Sequence, residues 1–327
     1  MNVDYVDHST KATNLLSMDI DGNYKKSLTG GDSTHEYIID VSRDGKKIYY
    51  RVIRNDKYQL VVMDSNGDNK KVVLSLLLKE YYVVRVFSDE NRLLCIKWNE
   101  DYSVSEIGIY DIQKKEFISL TQGRTMDYNY NVSMSFDESK IVFYSETPGT
   151  HDNDIFMVTS DGNNIKNLTK NIGHVYNPQI SPDGQFVIFQ NHYSDSHEKG
   201  IYVYNISSQS LDMALPNDTC VYFIDPNKII SNNSSQFVFR SHCPNRKSSI
   251  GIVNIDGTGK IIFNLGEFEY FPRDPIISSN GEWIVFYAYY GSGIDIYRIS
   301  SDGTHLKTLT NGGANGDTYV SPFFINE

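Results

Sequence analysis

Hydrophobic and polar positions alternate along nearly the whole chain, as in SRDGKKIYY from Ser42, IFMVTSDG from Ile155 and SSNGEWIVF from Ser278. Valine, isoleucine, tyrosine and phenylalanine at period two suit a pleated, half-buried strand. Polar turns separate the runs, many of them Asp-Gly or Asn-Gly pairs that supply the positive φ of a tight hairpin. Helical periodicity is nowhere sustained. The pattern predicts strands throughout.

The strands recur with a fixed period. Turn segments begin at Ser42, Ser88, Ser135, Ser181, Ser231 and Ser278, spaced by 46, 47, 46, 50 and 47 residues. A second marker, a strand-like run ending in a turn, closes at Gly22, Gly67, Lys114, Gly162, Gln209, Gly257 and Gly303, which lie 45 to 48 residues apart. Each is followed by a short apolar stretch centred on Leu28, Leu74, Leu120, Leu168, Leu215, Leu265 or Leu309, and four of these leucines stand in a Leu-Thr pair. A repeat of this length marks stacked supersecondary units. Each unit reads as four antiparallel strands, a to d, and four strands in about 46 residues make a propeller blade.

The blade count follows from the chain ends. Markers of strands c and d occur seven times, complete a-to-b hairpins six times. The missing hairpin is split: YVSP from Tyr319 reads as a strand a, and MNVDYVDH from Met1 reads as a strand b. Counting round the circle from Ser321 to Ser42 gives one more period, of 48 residues. The expected fold is therefore all-β, a seven-bladed β-propeller in one domain over 1–327. Its blades span about 31–75, 76–122, 123–170, 171–216, 217–266 and 267–311, with a closing blade of 312–327 plus 1–30. One C-terminal and three N-terminal strands would close it, removing open sheet edges. The alternative, a six-bladed ring, leaves about 40 residues of well-patterned strand outside the circle.

The Ser-Pro-Asp-Gly hairpin at Ser181, the VIF run after it, the IFMVTSDG strand and the NLT strand at Asn167 resemble the WD40-like repeats of TolB-type β-propellers. The match covers essentially the whole chain. It is strong in blades three, four and six, and blurred in blades two and five, where Ser88-Asp-Glu-Asn and Ser231-Asn-Asn-Ser replace the family turn. The resemblance implies a propeller and, most often, a protein-binding scaffold. The same repeat also occurs beside or within peptidases and in oligogalacturonate lyases, so the fold leaves function to the site.

Composition narrows the partners. The chain has 41 acidic against 30 basic residues, a net charge of −11, which opposes a phosphate-backbone ligand. No nucleic-acid partner is expected. No run of 18 apolar residues encodes a membrane span, and Met1 to Thr10 lacks the basic start and apolar core of a signal peptide. A cytoplasmic location is expected if Met1 is the native start, and a periplasmic or extracellular one if an export signal was removed. Cys95, Cys220 and Cys243 leave at least one thiol free, and no Cys-x-x-Cys spacing suggests zinc. Sequons such as Asn131, Asn205, Asn217 and Asn233 occur, but Asn167-Leu-Thr belongs to the repeat itself.

In family geometry strand a lines the channel, and the d-to-a and b-to-c loops share one mouth. His35 and His174 lie seven residues before their turn serines, at that mouth, and His8, His151, His192, His197 and His242 fall in or beside b-to-c loops. His305 sits near the other side. Rigid aromatics with a few charges suit a peptide, loop or glycan. The candidate binding residues are His35, Glu36, Tyr81, Tyr128, His174, Tyr176, His192, Asp225, Arg273 and Asp317. No Gly-x-Ser-x-Gly elbow, His-Glu-x-x-His, Gly-x-Gly-x-x-Gly or Walker-type loop is present. Neither a catalytic residue nor a metal ligand is assigned, and no cofactor is expected. The reading is a monomeric, non-catalytic scaffold for a protein or peptide. The alternative is a metal-dependent polysaccharide lyase resembling oligogalacturonate lyase, its ligands drawn from the one-sided histidines.

Overall fold

The computed structural model of the 327-residue chain describes residues 2–7, 12–30, 35–54, 57–77, 81–99, 105–121, 131–146, 153–170, 172–191, 198–217, 220–225, 228–243, 246–263, 265, 272–290, 293–310 and 322–323. These form a β-propeller of four-stranded antiparallel blades. Five sheets have four strands each, taken in sequence order. They begin with the inner strands Tyr81–Val86, Val132–Met134, Val175–Ile180, Val221–Phe223 and Arg273–Ile277.

The remaining sheet has eight strands, so the described residues make six sheets rather than seven separate ones. The strands His35–Val41, Lys47–Arg54, Lys57–Asp64 and Lys71–Leu77 follow one another as in the other five. Beside them lies Ala12–Ser17, joined by a parallel pair between Thr13 and His35. Ala12–Ser17 pairs antiparallel with Asn2–Asp7 and with Lys26–Ser27, and Asn2–Asp7 in turn pairs with Pro322–Phe323. Among the described residues no helix is long and apolar enough to cross a membrane.

The turn serines of the repeat are hairpin clamps. Ser42, Ser135, Ser181, Ser231 and Ser278 each donate the hydroxyl to the Asp or Asn two residues on, at 2.5–2.8 Å. The same oxygen accepts the backbone N–H five residues on, at 2.8–3.2 Å. A polar side chain thus satisfies backbone donors that the turn leaves without partners. The second unit departs from the sequence register. There Phe87 N donates to Arg92 O at 2.9 Å, the bond that Ser42 N makes to Lys47 O, so Phe87 and not Ser88 holds the serine position. Ser88 is instead gripped from the next unit, its N and Oγ donating to Glu138 at 2.7 and 3.1 Å. Three of the four Leu-Thr pairs are a second clamp: Leu15, Ile155 and Ile296 donate their N–H groups to the hydroxyls of Thr29, Thr169 and Thr310 at 2.8–2.9 Å, whereas the Thr121 hydroxyl is buried without a partner among the described residues.

The core lies between sheets rather than at one centre. One cluster joins Ile188 and Val203, Phe237 and Phe239, and Ile284 and Phe286, from three consecutive sheets. Another joins Met18 to Ile276, Val285 and Leu309, so the last sheet packs against the first and the ring of sheets closes. The turn at Gly22 makes that contact tight. Its φ is +76° and a Cβ there would stand 2.8 Å from the Leu309 carbonyl oxygen, so only glycine fits. Cys220 and Cys243 form a disulfide and Cys95 is the buried free thiol, the one left over by the odd count.

Gly251 lies in the strand Arg246–Asn254, where a Cβ would meet Ile261 O at 2.4 Å and the Phe239 ring at 2.5 Å. Gly251→Ala is expected to cost about 1–3 kcal/mol through overpacking. Urea unfolding at unchanged m-value would measure it, and an unaltered midpoint would refute the close approach.

Candidate functional site

Fixed hairpin register decides which side chains reach the axis, because side chains alternate faces along a strand. Two residues before each clamp position stand Asp40, Arg85, Ser133, Gln179, Ile229 and Ile276, from six inner segments. All six line one cavity of ≈ 960 Å³, the central channel of the propeller. Tyr37, Arg51, Tyr82, Asn131, Asn177 and Lys228 line it too.

The wall is charged and partly buried. Arg85 Nε meets Asp40 Oδ2 at 2.9 Å, and the N–H groups of Val86 and Val41 donate to the same carboxylate at 3.0 and 2.9 Å. Asp40 is only 8% exposed, and burial raises its pKa while Arg85 and the two amides pull it back. Arg51 is sandwiched by aromatics, its guanidinium 4.6 Å from the Tyr37 ring centre and 5.2 Å from that of Tyr82. Such cation–π contacts are worth roughly 0.5–2 kcal/mol each and hold the guanidinium fixed. Lys228 Nζ donates to Ser279 Oγ at 3.0 Å, and burial, with Arg85 nearby, lowers its pKa to about 8. At the turn end, Arg43 lies 5.4 Å from the Phe136 ring centre and donates to Phe136 O at 3.3 Å. Asn131 donates to Asn177, which donates to Ile224 O at 3.2 Å, so three neighbouring inner strands are linked by amides.

Residues 1–268 match the TolB beta propeller domain family. The chain belongs to the TolB beta propeller family. Its fold is similar to that of TolB from Acinetobacter baumannii, with a TM-score of 0.52 at 15% identity over 87% of this chain and 80% of that one. An oligogalacturonate lyase from Vibrio parahaemolyticus is similar at TM-score 0.63 and 12% identity, over 94% and 84% of the two chains. The β-propeller domain of the Trilobed protease from Pyrococcus furiosus gives 0.59 and 11%, over 85% and 86%. At such identities the likeness is one of fold. Comparison with curated proteins returns no match.

In this TolB-family propeller the candidates from sequence stand mostly at the starts of the inner strands, away from the described cavity. His35 is exposed, with its ring 6.4 Å from Tyr37, and Glu36 beside it is half-buried. Tyr81 turns into its own sheet, packing on Tyr110 and Phe117 at 5.3 and 5.6 Å, while its neighbour Tyr82 lines the channel. His174 and Tyr176 are half-buried, Tyr176 lying 5.9 Å from Tyr144. Tyr128, His192 and Asp317 lie outside the described residues. Among the described residues no group of three His, Cys, Asp or Glu is arranged to hold a metal ion.

The structure does bring Asp225 and Arg273 into one charged cluster. Arg240 Nε reaches both Asp225 oxygens, at 2.7 and 3.0 Å, with its guanidinium 5.4 Å from the Phe223 ring centre. Asp274 lies beside them at φ 46°, where the inner strand bulges between Arg273 and Ile276. Burial, then the Asp225 charge, push Asp274 up to about 6, against the pull of Arg240 and Arg273. The channel residues were within reach of the sequence: Asp40, Arg85, Gln179 and Lys228 sit two or three residues before the repeated turn, a position the seven-residue offset of the histidines passes over.

A carboxyl held above its ordinary 3.8 binds its proton more tightly folded than unfolded, so stability falls as pH rises from about 4 to about 6 and stays lower above that. Asp274→Asn is expected to raise stability by about 1–3 kcal/mol at pH 8 and to change it little below pH 4. Urea midpoints at the two pH values test this; an equal gain at both would show that charge is not the cause.

Proposed function

We propose that the chain is a non-catalytic scaffold whose channel takes a segment of a protein or peptide. The observation that carries this reading is the ≈ 960 Å³ channel, with Arg51 clamped between Tyr37 and Tyr82 in its wall. That volume is near the top of the ~300–1,000 Å³ usual for ligand sites. Aromatic and arginine side chains are the commonest anchors of protein interfaces, and here they are ordered before any ligand arrives.

The eight-stranded sheet supports a count of seven blades. On this reading Pro322–Phe323, Asn2–Asp7, Ala12–Ser17 and Lys26–Ser27 form the closing blade, which meets the first full blade through the Thr13–His35 pair. His35, Glu36, Tyr81, Tyr128, His174, Tyr176, His192, Asp225, Arg273 and Asp317 then belong to the channel mouth, as outer contacts for the same ligand. The protein acts as a monomer, and its net charge of −11 favours partners with basic patches outside the channel. The Cys220–Cys243 disulfide supports an oxidising, periplasmic or extracellular setting.

A random heptapeptide library panned on the protein tests the scaffold. Recovered peptides are expected to bind at least about tenfold more weakly to Ser133→Trp, which fills the channel, and equally well to Tyr24→Ser, on a side chain 88% exposed. Recovery of no peptide, or equal binding to Ser133→Trp, would end the reading.

A further inference from the structure

The channel wall holds cations whose hydrogen-bonding capacity the fold does not use. Arg85 spends Nε on Asp40, and its two terminal nitrogens have no partner among the described residues. Lys228 has one bond, to a neutral hydroxyl, and among the described residues no carboxylate pairs with it. The Arg51 guanidinium packs on the rings of Tyr37 and Tyr82, and among the described residues its buried Nε has no hydrogen-bond partner. The amide nitrogen of Gln179, a residue 7% exposed, is likewise buried without a partner, and rotation about its soft terminal torsion would offer it to the cavity. Among the described residues the one buried carboxylate that lines the cavity with these three cations is Asp40.

The acidic groups at the turn end are already engaged. Lys47 pairs with Glu90, Glu138 accepts from Ser88, and Asp44 accepts from Ser42 and the backbone of Lys46. Arg85 and Lys228 come from opposite parts of the ring, yet they are near enough for Arg85 to disfavour the charge on Lys228, whose amine stays mainly protonated at pH 7. A half-buried cation without a counter-charge is costly, and the anion of a ligand would supply that charge. The protein carries −11 overall, so a cationic interior in an acidic molecule is a local arrangement, not a by-product of composition.

We propose that the channel is a carboxylate-binding site: an acidic side chain or C-terminus of the entering peptide seats its anion between the terminal nitrogens of Arg85 and Nζ of Lys228. Arg51 and Gln179 lie along the same wall for the flanking backbone, and Tyr37 and Tyr82 take its apolar groups. The inference rests on the peptide-scaffold reading and adds the chemistry of what is recognised. Surface attraction alone would select basic peptides on this acidic protein, so an acidic preference points to the channel.

The test uses the full chain and the same heptapeptide library, with Asp and Glu counted in recovered against input sequences. Peptides recovered on the wild type are expected to be enriched in acidic residues at least about threefold, and each is expected to bind Lys228→Met about 10- to 100-fold more weakly, as loss of a charge-assisted hydrogen bond requires. The same drop is expected when the peptide's acid is replaced by its amide, whereas Lys228→Arg keeps binding. Lys228→Met is expected to melt no lower than the wild type, because it removes a half-buried charge, and a fall in melting temperature would count against an uncompensated cation. Recovered peptides without acidic preference, or acidic ones that bind Lys228→Met unchanged, overturn this inference and leave the scaffold standing. Recovery of no peptide overturns both.

Discussion

The hairpin clamp at the inner turn sets the rest of the structure. In five units a single hydroxyl closes the loop between the first two strands, donating to a side chain and accepting from the backbone five residues on. A one-residue slip in a strand would send every side chain to the other face, so this clamp decides what the channel contains. The second unit shows how much depends on it. There Phe87 takes the position, Ser88 turns to Glu138 of the next unit, and Arg85 comes level with Asp40. The ion pair across two inner strands follows from that register.

Around this frame the sheets pack face to face, and their apolar layers, not a common centre, carry the stability. Phe143 on Phe156, Phe189 on Tyr202 and Phe286 on Tyr297 stack at 5.6–5.8 Å as directly opposed cross-strand pairs in three units. Each buried ring contributes on the order of 2–3 kcal/mol. Apolar clusters fill the spaces between neighbouring sheets, and the polar residues of the channel stand at the inner edge. The inner edge carries the charges that a ligand can reach.

Those charges fall into two kinds. Asp225, Arg240, Asp274 and Arg273 neutralise one another, with one carboxyl held above its ordinary range by its neighbour and by burial. Arg51 and Lys228 have no carboxylate partner among the described residues. The first arrangement rigidifies the inner strands of two adjacent sheets. The second stands in the channel wall, away from the exposed histidine His35 at the strand start.

The sequence by itself determined the four-strand unit, its period, the turn clamps and the Leu-Thr stitches, because each is a local pattern of alternating apolar residues and turn chemistry repeated along the chain. It did not determine that Tyr82 rather than Tyr81 faces the axis, that Phe87 replaces a serine, that Cys220 bonds Cys243, or that Arg85 and Lys228 approach each other. Those depend on register within a sheet and on proximity between segments far apart in the chain, which only the closed ring of packed sheets brings together.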